Sequence, residues 1–473
     1  MKRFFEIATL ILLDVAGYYV SLSIAWYVRE RIVPAFFTVT LPNYAFGYYL
    51  SLWWIPVSYV VFIAYLNVYT GRIPFWDETK KLLHAITLAF IVLMAIVTLG
   101  KFPGMFSRVV LVMLWFFSLL LFPVMHLYGK RFLFRLGLCK ENVLVLGAGR
   151  SGKLIVNWLG RERHIGYEVL GFLDDDPAKR ATFVEGKKVF GEIRYYTRFV
   201  RELKINTIII AMPSLGPEKI SAMAFKIQQD VKHTMIVPDL YGVALLNTEL
   251  LHLFYEELFL LKVNNNLKSL PNMLLKRSFD LALSIMALPF LFILIAVIGI
   301  LIKLQSRGPV IYSHERIGKG GRSFKCYKFR TMVKDAEDRL TELLRSNADL
   351  RDEWEKYWKI TNDPRVTRIG AFLRKTSLDE LPQIFNVLKG EMSLIGARPY
   401  LWRELYAVAD KIDAITKAPP GITGLWQVSG RNNTTYEDRI RLDIWYTMNW
   451  SLWLDLFILL RTVKVVICMK GVM

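Results

Sequence analysis

The chain has 473 residues, of which 54% are hydrophobic and 22% are charged. This length predicts more than one domain, and the composition excludes both a small soluble domain and a chain buried wholly in lipid. The formal net charge of +20 suits contact with an anionic membrane face and with phosphate substrates. We expect no nucleic-acid partner, because the basic residues flank apolar segments and form no uniform stripe.

Four long apolar segments open the sequence, at about 4–28, 44–69, 82–99 and 109–127. Each is long enough to cross roughly 30 Å of hydrocarbon as a helix. We therefore predict a four-helix transmembrane bundle over residues 1–138. Lysine and arginine are richer before the first segment, between the second and third, and after the fourth, which places both ends of the bundle in the cytoplasm. Asp14 is costly inside a span, and the sequence alone suggests no partner for it.

An α/β pattern over residues 139–262 predicts a Rossmann-like domain. Residues 143–146 form a buried-strand pattern, and Gly147, Gly149 and Gly152 follow with the GxGxxG spacing of a cofactor-binding loop. An acidic run at 174–176 ends a second strand, and further strands are predicted at 207–211 and 234–237. None of the 22 tyrosines has a lysine four positions later, so the Tyr-x-x-x-Lys dyad of nucleotide-sugar epimerases is missing. We predict an accessory domain without a catalytic role.

The C-terminal domain, predicted over 263–473 as an α+β catalytic domain, begins with another apolar run at 281–301. Pro289 lies in its middle, and basic residues flank both ends: Lys276, Arg277, Lys303 and Arg307. A central proline kinks a helix. We therefore predict a re-entrant helix over about 279–303 that enters and leaves the membrane on the cytoplasmic side. A kinked fifth span is the alternative, and periodicity does not decide between them.

Three patterns follow this run. Residues 310–329 predict a β-hairpin turned at the glycine-rich stretch 318–321, with Lys328 and Arg330 on or beside its return strand as candidate phosphate ligands. Residues 335–358 have a charged helical pattern. Tryptophans and basic residues punctuate a last apolar helix near 450–464, which favours a position in the membrane interface.

Asp379 and Glu380 are adjacent carboxylates that follow Ser377 in a capping-box pattern, with Pro382 beyond. We expect a helix to begin here, with both carboxylates held ionised by its dipole, as a nucleophile or metal ligand requires. A simple helix cap is the plain alternative. The surrounding charge favours a site for a polyphosphate, since basic residues crowd this stretch: Arg365, Arg368, Arg374, Lys375 and Arg398.

Five motifs occur in one order: Lys-Phe-Arg-Thr-Met at 328–332, Asp-Pro-Arg-Val-Thr at 363–367, Thr-Ser-Leu-Asp-Glu-Leu-Pro at 376–382, Gly-Ala-Arg-Pro at 396–399 and Pro-Gly-Ile-Thr-Gly-Leu-Trp-Gln at 420–427. From about Lys276 onward the chain resembles the bacterial sugar transferases, the monotopic phosphoglycosyl transferases that start lipid-linked glycan assembly. With its membrane-spanning front half, it resembles the undecaprenyl-phosphate galactose phosphotransferase type. The family often has Ser-Pro in its re-entrant helix, where this chain has Leu288-Pro289.

The resemblance implies transfer of a hexose-1-phosphate from a UDP-sugar to undecaprenyl phosphate, with galactose first and glucose next. Asp379 would be the nucleophile of a covalent aspartyl-phosphosugar intermediate, and Mg²⁺ would bind Asp379 and Glu380. Arg374 and Arg398 match the active-site arginines, and Asp443 matches an active-site aspartate. The substrate-binding candidates are Lys328, Arg330, Arg365, Pro399 and Asp443.

The resemblance also implies a place and partners. We expect a multi-pass protein of the bacterial inner membrane whose catalytic domain faces the cytoplasm and starts O-antigen, capsule or exopolysaccharide assembly. We expect a homodimer, with the Rossmann-like domain serving regulation or self-association. Two other classes stay open from the residues alone: an oxidoreductase or epimerase that uses the GxGxxG domain, and a nucleotide-sensing membrane scaffold. The clustered carboxylates and arginines of the C-terminal third argue against both.

Overall fold

The computed structural model describes residues 2–36, 44–100, 107–240, 246, 248–253, 258–346, 351, 360, 363–404, 411–429 and 435–468. The chain divides into two compact units, Met1–Tyr241 and Gly242–Met473. The predicted bundle falls in the first unit and the predicted catalytic domain in the second. The bounds of the three predicted domains stay predictions.

The first unit begins with a group of apolar helices. In chain order they are α1 (Lys2–Tyr27), which continues through a π-helical turn (Val28–Ile32) into α2 (Val33–Phe36), then α3 (Phe46–Ser51), α4 (Trp54–Tyr65), α5 (Phe75–Leu99) and α6 (Arg108–Arg135). Three helical segments here are long and apolar enough to cross a membrane: Phe4–Ala35, Phe75–Leu99 and Arg108–Arg135. The chain is therefore a membrane protein.

The second predicted span, 44–69, is divided in the structure. Helix α3 ends at Ser51, Leu52 leaves the helical conformation, and α4 has only 12 residues, or about 18 Å of helix. Pro56 explains the break. It lacks the N–H that would bond to the Leu52 carbonyl, and its ring would collide with that carbonyl in a continuous helix.

The structure supplies the partner of Asp14. Its carboxylate lies 2.7 Å from His126 Nε2 on α6 and accepts a 2.6 Å hydrogen bond from the Tyr69 hydroxyl. His126 Nδ1 lies 2.8 Å from Glu78 on α5, and Lys130 lies 2.7 Å from the same carboxylate. All five side chains are buried. A polar network thus joins α1, α5 and α6, because buried charges need partners.

A six-stranded sheet follows in the first unit. Its strands and helices are β1 (Glu141–Leu146), α7 (Arg150–Arg161), β2 (Tyr167–Leu173), β3 (Phe183–Val184), β4 (Lys187–Gly191), α8 (Tyr196–Glu202), β5 (Thr207–Ile210), α9 (Pro217–Asp230) and β6 (His233–Ile236). The order is β3-β4-β2-β1-β5-β6, and only β3 pairs antiparallel. The predicted strands and Rossmann-like layout are confirmed.

The glycine-rich loop lies between β1 and α7, as predicted. Gly147 has φ +98°, and a Cβ on Gly152 would lie 2.1 Å from the Gly147 carbonyl oxygen, so both positions require glycine. Asp174 closes the loop by accepting a 2.7 Å hydrogen bond from the Ala148 N–H. Burial raises the pKa of Asp174, but the bonds from Asp176, Ala148 and Lys179 outweigh it and hold the pKa low. Its carboxylate is therefore already occupied within the loop.

The second unit contains a hairpin, a long apolar helix and a compact α+β part. Its elements are β7 (Thr248–Leu253), β8 (Leu258–Val263), α10 (Leu270–Gln305), β9 (Ile311–Ile317), β10 (Ser323–Phe329), α11 (Ala336–Ser346), α12 (Arg368–Thr376), a 3₁₀ helix (Leu378–Gln383), α13 (Ile384–Lys389), β11 (Ser393–Ile395), α14 (Ile412–Ile415), β12 (Gly421–Thr423), α15 (Leu425–Ser429), α16 (Tyr436–Met448) and α17 (Leu452–Cys468). Helix α11 falls within the charged helical segment predicted at 335–358, most of whose remainder lies outside the described residues.

Helix α10 runs without interruption for 36 residues through Pro289. It is longer than the predicted 279–303, and the kink and re-entrant course predicted from Pro289 stay predictions. The surrounding turns keep the helix intact although the Pro289 nitrogen cannot bond to the Ile285 carbonyl. Side chains in its middle are exposed, Met286 by 66% and Phe290 by 77%.

Both ends of α10 are buried against the second unit. Near the first end, Lys276 bonds to Asp455 at 2.8 Å and to the Ile395 carbonyl at 3.0 Å. Asp455 also accepts bonds from Tyr446 and Trp450. The fully buried Asp455 thus ties α17 and α16 to α10, and pairing offsets the cost of burying its charge.

Candidate active site

The predicted hairpin is confirmed and brings Lys328 to the carboxylate pair. Strands β9 and β10 pair antiparallel, from Ser323 opposite Ile317 to Phe329 opposite Ile311. From β10, the Lys328 ammonium bonds to Glu380 at 2.7 Å and lies 4.0 Å from Asp379. Burial lowers the pKa of Lys328, but Glu380 and Asp379 outweigh it and hold the pKa above its ordinary value. One cation therefore serves both carboxylates.

The capping box predicted at Ser377 is wrong. Ser377 ends α12 in the left-handed conformation, with φ 58°, and its side chain makes no cap hydrogen bond. Asp379 and Glu380 lie in the following turn of 3₁₀ helix. This 3₁₀ helix runs directly into α13, so the predicted helix start is confirmed without its serine cap. The predicted effect of the helix dipole does not decide the state of Asp379, whose pKa is raised.

Burial sets the state of Asp379 instead. Its side chain is 15% exposed, and burial raises the pKa to about 6. Lys328 and Arg374 lower the pKa, while Glu380 raises it further. A carboxylate with this pKa is mostly ionised at pH 7 and more basic than an ordinary aspartate, which suits a nucleophile.

Arg374 completes this side of the site. Its Nε donates a 3.0 Å hydrogen bond to the Thr331 hydroxyl, which follows β10. Burial lowers the pKa of Arg374, whereas Asp379 and Asp363 raise it. The interaction with Asp379 places this arginine beside the predicted nucleophile.

Helix α13 fixes the carboxylate turn to the hairpin. The side chain of Asn386 is buried, accepts a 3.1 Å bond from the Tyr327 N–H and donates a 2.8 Å bond to the Lys325 carbonyl. The Asn386 amide thus forms the hydrogen bonds to β10 that the backbone of a neighbouring strand would form. No local pattern predicts this contact, because Asn386 and β10 are about sixty residues apart in the chain.

The Gly-Ala-Arg-Pro loop is packed tightly by glycines. A Cβ on Gly396 would lie 2.6 Å from the Gly421 nitrogen, and one on Gly424 would lie 2.3 Å from the Gly396 carbonyl oxygen. This close approach of two backbones lets the Gly396 N–H bond to Thr423 at 2.9 Å. Arg398 follows on a rigid loop as a result.

Asp443 supports this loop from α16. It accepts a 2.8 Å bond from the Tyr400 hydroxyl and a 3.3 Å bond from the Arg398 N–H. Its other oxygen, Oδ1, is buried without a hydrogen-bond partner in the described part of the chain. Burial raises the pKa of Asp443 to about 7, although the bonds from Tyr400 and Arg398 lower it. The structure thus places Asp443 behind Arg398.

Three other predicted substrate ligands are engaged with the protein itself. Arg330 donates to the carbonyls of Ser306 and Arg307, at 2.8 and 3.0 Å, and so caps the end of α10. Arg365 forms a two-pronged ion pair with Asp363, at 2.8 and 2.6 Å. The Pro399 carbonyl accepts a 3.1 Å bond from Arg316. These contacts hold the protein around the site together. They use groups that would otherwise be available to a substrate.

Arg316 and Arg439 are the residues that the sequence did not single out. Burial lowers the pKa of each, and the positive charge of Arg398 lowers both further. Glu380 acts on Arg316 in the opposite direction, so this arginine faces both the carboxylate pair and the loop. Arg398 lies in one of the five motifs, whereas Arg316 and Arg439 lie outside all of them. Only the fold shows that these two arginines interact with Arg398.

The expected Mg²⁺ is consistent with the donors present. Among the described residues, no group of three or more His, Cys, Asp or Glu side chains could enclose a metal. Asp379 and Glu380 nevertheless supply two adjacent carboxylates. Mg²⁺ is commonly held by one or two carboxylates together with substrate phosphates and water. The donor set fits an ion that binds with a phosphate substrate.

Two family models match the chain. Residues 271–469 match the bacterial sugar transferase family, and residues 66–238 match a CoA-binding domain family. The first match covers α10 and every predicted catalytic residue. The second covers α5, α6 and the six-stranded sheet.

Several known proteins are similar over long stretches. An undecaprenyl-phosphate galactose phosphotransferase of Salmonella typhimurium is 38% identical over 86% of this chain and 84% of its own length. A UDP-galactose-lipid carrier transferase of Erwinia amylovora is 38% identical over 86% and 84%. The exopolysaccharide production protein ExoY of Rhizobium meliloti is 45% identical over 41% of this chain and 87% of its own length. The motifs, the paired carboxylates and these identities over most of both chains together show that the chain belongs to the bacterial sugar transferase family.

Proposed function

We propose that the chain transfers a hexose-1-phosphate, galactose-1-phosphate first of all, from a UDP-sugar to undecaprenyl phosphate. The products are undecaprenyl-diphosphate-sugar and UMP, and the reaction starts assembly of a surface polysaccharide. The observation that carries this proposal is the buried Asp379, paired through Lys328 with Glu380 and lying beside Arg374. Two relatives that match over most of both chains, an undecaprenyl-phosphate galactose phosphotransferase and a UDP-galactose-lipid carrier transferase, have galactose in their names.

The reaction is proposed to proceed in two displacements. A carboxylate oxygen of Asp379 attacks the phosphorus that bears the sugar, and the bond from that phosphorus to the UMP oxygen breaks. A phosphate oxygen of undecaprenyl phosphate then attacks the same phosphorus and releases the carboxylate. Lys328 and Arg374 offset the charge of the phosphates, and they keep Asp379 ionised at neutral pH.

Mg²⁺ is proposed to bind with the donor, held by Asp379, Glu380 and the diphosphate. When bound, it supplies positive charge to the departing phosphate. The chain's own residues hold the remaining charge: Lys328 bonds to Glu380 at 2.7 Å, so a cation at this position is already part of the folded site.

Helix α10 is proposed to be re-entrant. The support is that both of its ends contact the second unit while its middle is exposed and apolar. Arg277 donates 2.6 and 2.9 Å bonds to the carbonyls of Val387 and Leu388, and Ile298 and Ile302 pack in a cluster with Leu373. A helix cannot cross a bilayer between two points on one folded domain. The lipid substrate and the soluble donor would then meet at the membrane surface.

The catalytic site is proposed to face the cytoplasm of a bacterial inner membrane. The distribution of lysine and arginine around the apolar segments supports this orientation. UDP-sugars are soluble and cannot cross the bilayer, so the site must face the compartment that makes them. The expected homodimer rests on the resemblance and can be measured by light scattering on the same preparations.

The deciding experiment follows the covalent intermediate. Purified protein is incubated with UDP-galactose, UDP-glucose or UDP-N-acetylglucosamine without acceptor, and intact mass is recorded. We expect one added hexose phosphate on the wild-type chain and none on Asp379→Asn. Undecaprenyl phosphate should then discharge the adduct, and UMP release should rank the sugars. A wild-type chain that turns over without ever carrying the adduct would exclude the nucleophilic role.

A further inference from the structure

Two arginines lie over one tryptophan, and a third arginine bonds to the loop that carries one of them. The guanidinium carbon of Arg439 lies 5.0 Å from the centre of the Trp426 ring, and that of Arg398 lies 6.0 Å from it. Arg316 donates to the carbonyl of Pro399, the residue after Arg398. The cluster therefore combines the hairpin, the Gly-Ala-Arg-Pro loop, α15 and α16.

The three guanidinium groups of this cluster have few carboxylate partners within ion-pair distance. Among the described residues, only Arg398 of the three lies within ion-pair distance of a carboxylate, 3.6 Å from Glu404. That carboxylate is shared, because its other oxygen accepts a 2.8 Å bond from the Leu401 N–H. Burial, and then the mutual repulsion with Arg398, lower the pKa values of Arg316 and Arg439. An anion would relieve this repulsion.

Two hydrogen-bond donors in the cluster are also unused. Arg439 Nε and Trp426 Nε1 are buried and have no hydrogen-bond partner within the ranges that the structure describes. Buried N–H groups are rarely left without an acceptor, because desolvation without a bond is costly. The acceptors named so far, the Pro399 carbonyl and the Glu404 carboxylate, bond or pair with Arg316, Arg398 and the Leu401 N–H, and neither bonds to these two donors. An acceptor-rich group is the missing partner.

We propose that Arg316, Arg398, Arg439 and Trp426 form a subsite that binds a substrate phosphate. This inference rests on the proposed function only for the identity of the anion, which is a phosphate of either the nucleotide donor or the lipid acceptor. Arg439 and the Trp426 N–H contact its oxygens, and Arg316 positions the Arg398 loop. A planar guanidinium that forms two parallel bonds suits a phosphate particularly well.

The test compares two arginines of one helix. Arg441 lies two residues after Arg439 and forms an exposed ion pair with Asp438 at 2.7 Å, so it is the matched control. We expect Arg439→Gln to weaken UMP binding, measured by calorimetry on the full chain in detergent, by about tenfold or more. Arg441→Gln should stay within about twofold. Trp426→Phe keeps an aromatic ring but removes the N–H donor together with part of the indole, and should weaken binding by a smaller factor.

The sources of the phosphate are separated by steady-state kinetics with both substrates. A higher KM for the UDP-sugar with Arg439→Gln assigns the subsite to the donor, and a higher KM for undecaprenyl phosphate assigns it to the acceptor. The subsite is refuted if Arg439→Gln matches Arg441→Gln in UMP binding and in both KM values. The adduct at Asp379 reports separately on the proposed function. A chain that forms the adduct but shows no Arg439 effect loses only the subsite, and one that binds UMP through Arg439 without an adduct loses only the mechanism.

Discussion

Asp379→Asn is expected to stabilise the protein while it removes activity. The pKa of Asp379 rises from an ordinary value of 3.8 to about 6, which corresponds to about 3 kcal/mol between its two protonation states. Because the folded-state pKa is the higher one, the neutral carboxyl is the better tolerated form. The penalty for ionisation is thus absent below about pH 4, about half present at pH 5 and complete above about pH 7. Asparagine keeps the shape of the side chain and carries no charge.

We therefore expect a gain of about 1–3 kcal/mol at pH 8, since Lys328 retains Glu380 as its partner. In a domain of this size that gain raises Tm by roughly 2–10 °C. Thermal unfolding of the detergent-solubilised chain at pH 8 and pH 5 measures it, and the gain should shrink at the lower pH. Asp363→Asn is the control with the opposite sign. Burial raises the pKa of Asp363, but the Arg365 guanidinium holds it low, so removing this charge should lower Tm. An Asp379→Asn protein less stable than wild type at pH 8, or a gain independent of pH, would refute the reasoning.

Three further predictions concern the reaction and the membrane. The value of kcat/KM should fall about tenfold per pH unit below pH 6, because Asp379 must be ionised to attack. Asp443→Asn should keep this fall and lose only a pH dependence near pH 7 that comes from Asp443. Single cysteines can be placed at the exposed Lys268 and Lys303 in a chain that lacks Cys468. Both should react with an impermeant maleimide from the cytoplasmic side, and labelling from opposite sides would show that α10 crosses the membrane. A truncated chain that begins near Asn264 should still release UMP, since a relative matches 41% of this chain over 87% of its own length, and a folded but inactive fragment would give the first unit a catalytic part.

Local sequence patterns predicted the secondary structure correctly where interactions between neighbouring residues determine it. Val143 and its neighbours are completely buried, as an unbroken apolar run before a glycine loop implies. The hairpin turn at 318–321 follows from its glycines, and Lys328 lies on the return strand as predicted. These features depend on the conformational preferences of a few consecutive residues.

The errors arise where a distant or competing interaction decides. Ser377 has a capping-box spacing and precedes the 3₁₀ helix, yet it also ends α12 in the left-handed conformation, and its side chain makes no cap bond. The break at Leu52 follows from Pro56, which the apolar pattern of the segment conceals. Arg316 and Arg439 are separated by more than a hundred residues, so no sequence window contains their contact with one loop.

The network of Asp14, Glu78, His126 and Lys130 has a consequence for how the protein is made. Asp14 on α1 leaves the ribosome before His126 on α6, which is synthesised 112 residues later. Until α6 arrives, the first span holds an aspartate that costs about 2.5–3.5 kcal/mol in lipid. Stable integration of the first span is therefore delayed until the last one joins it. The bundle should insert as a set, and a chain stopped before α6 should be a substrate for membrane quality control.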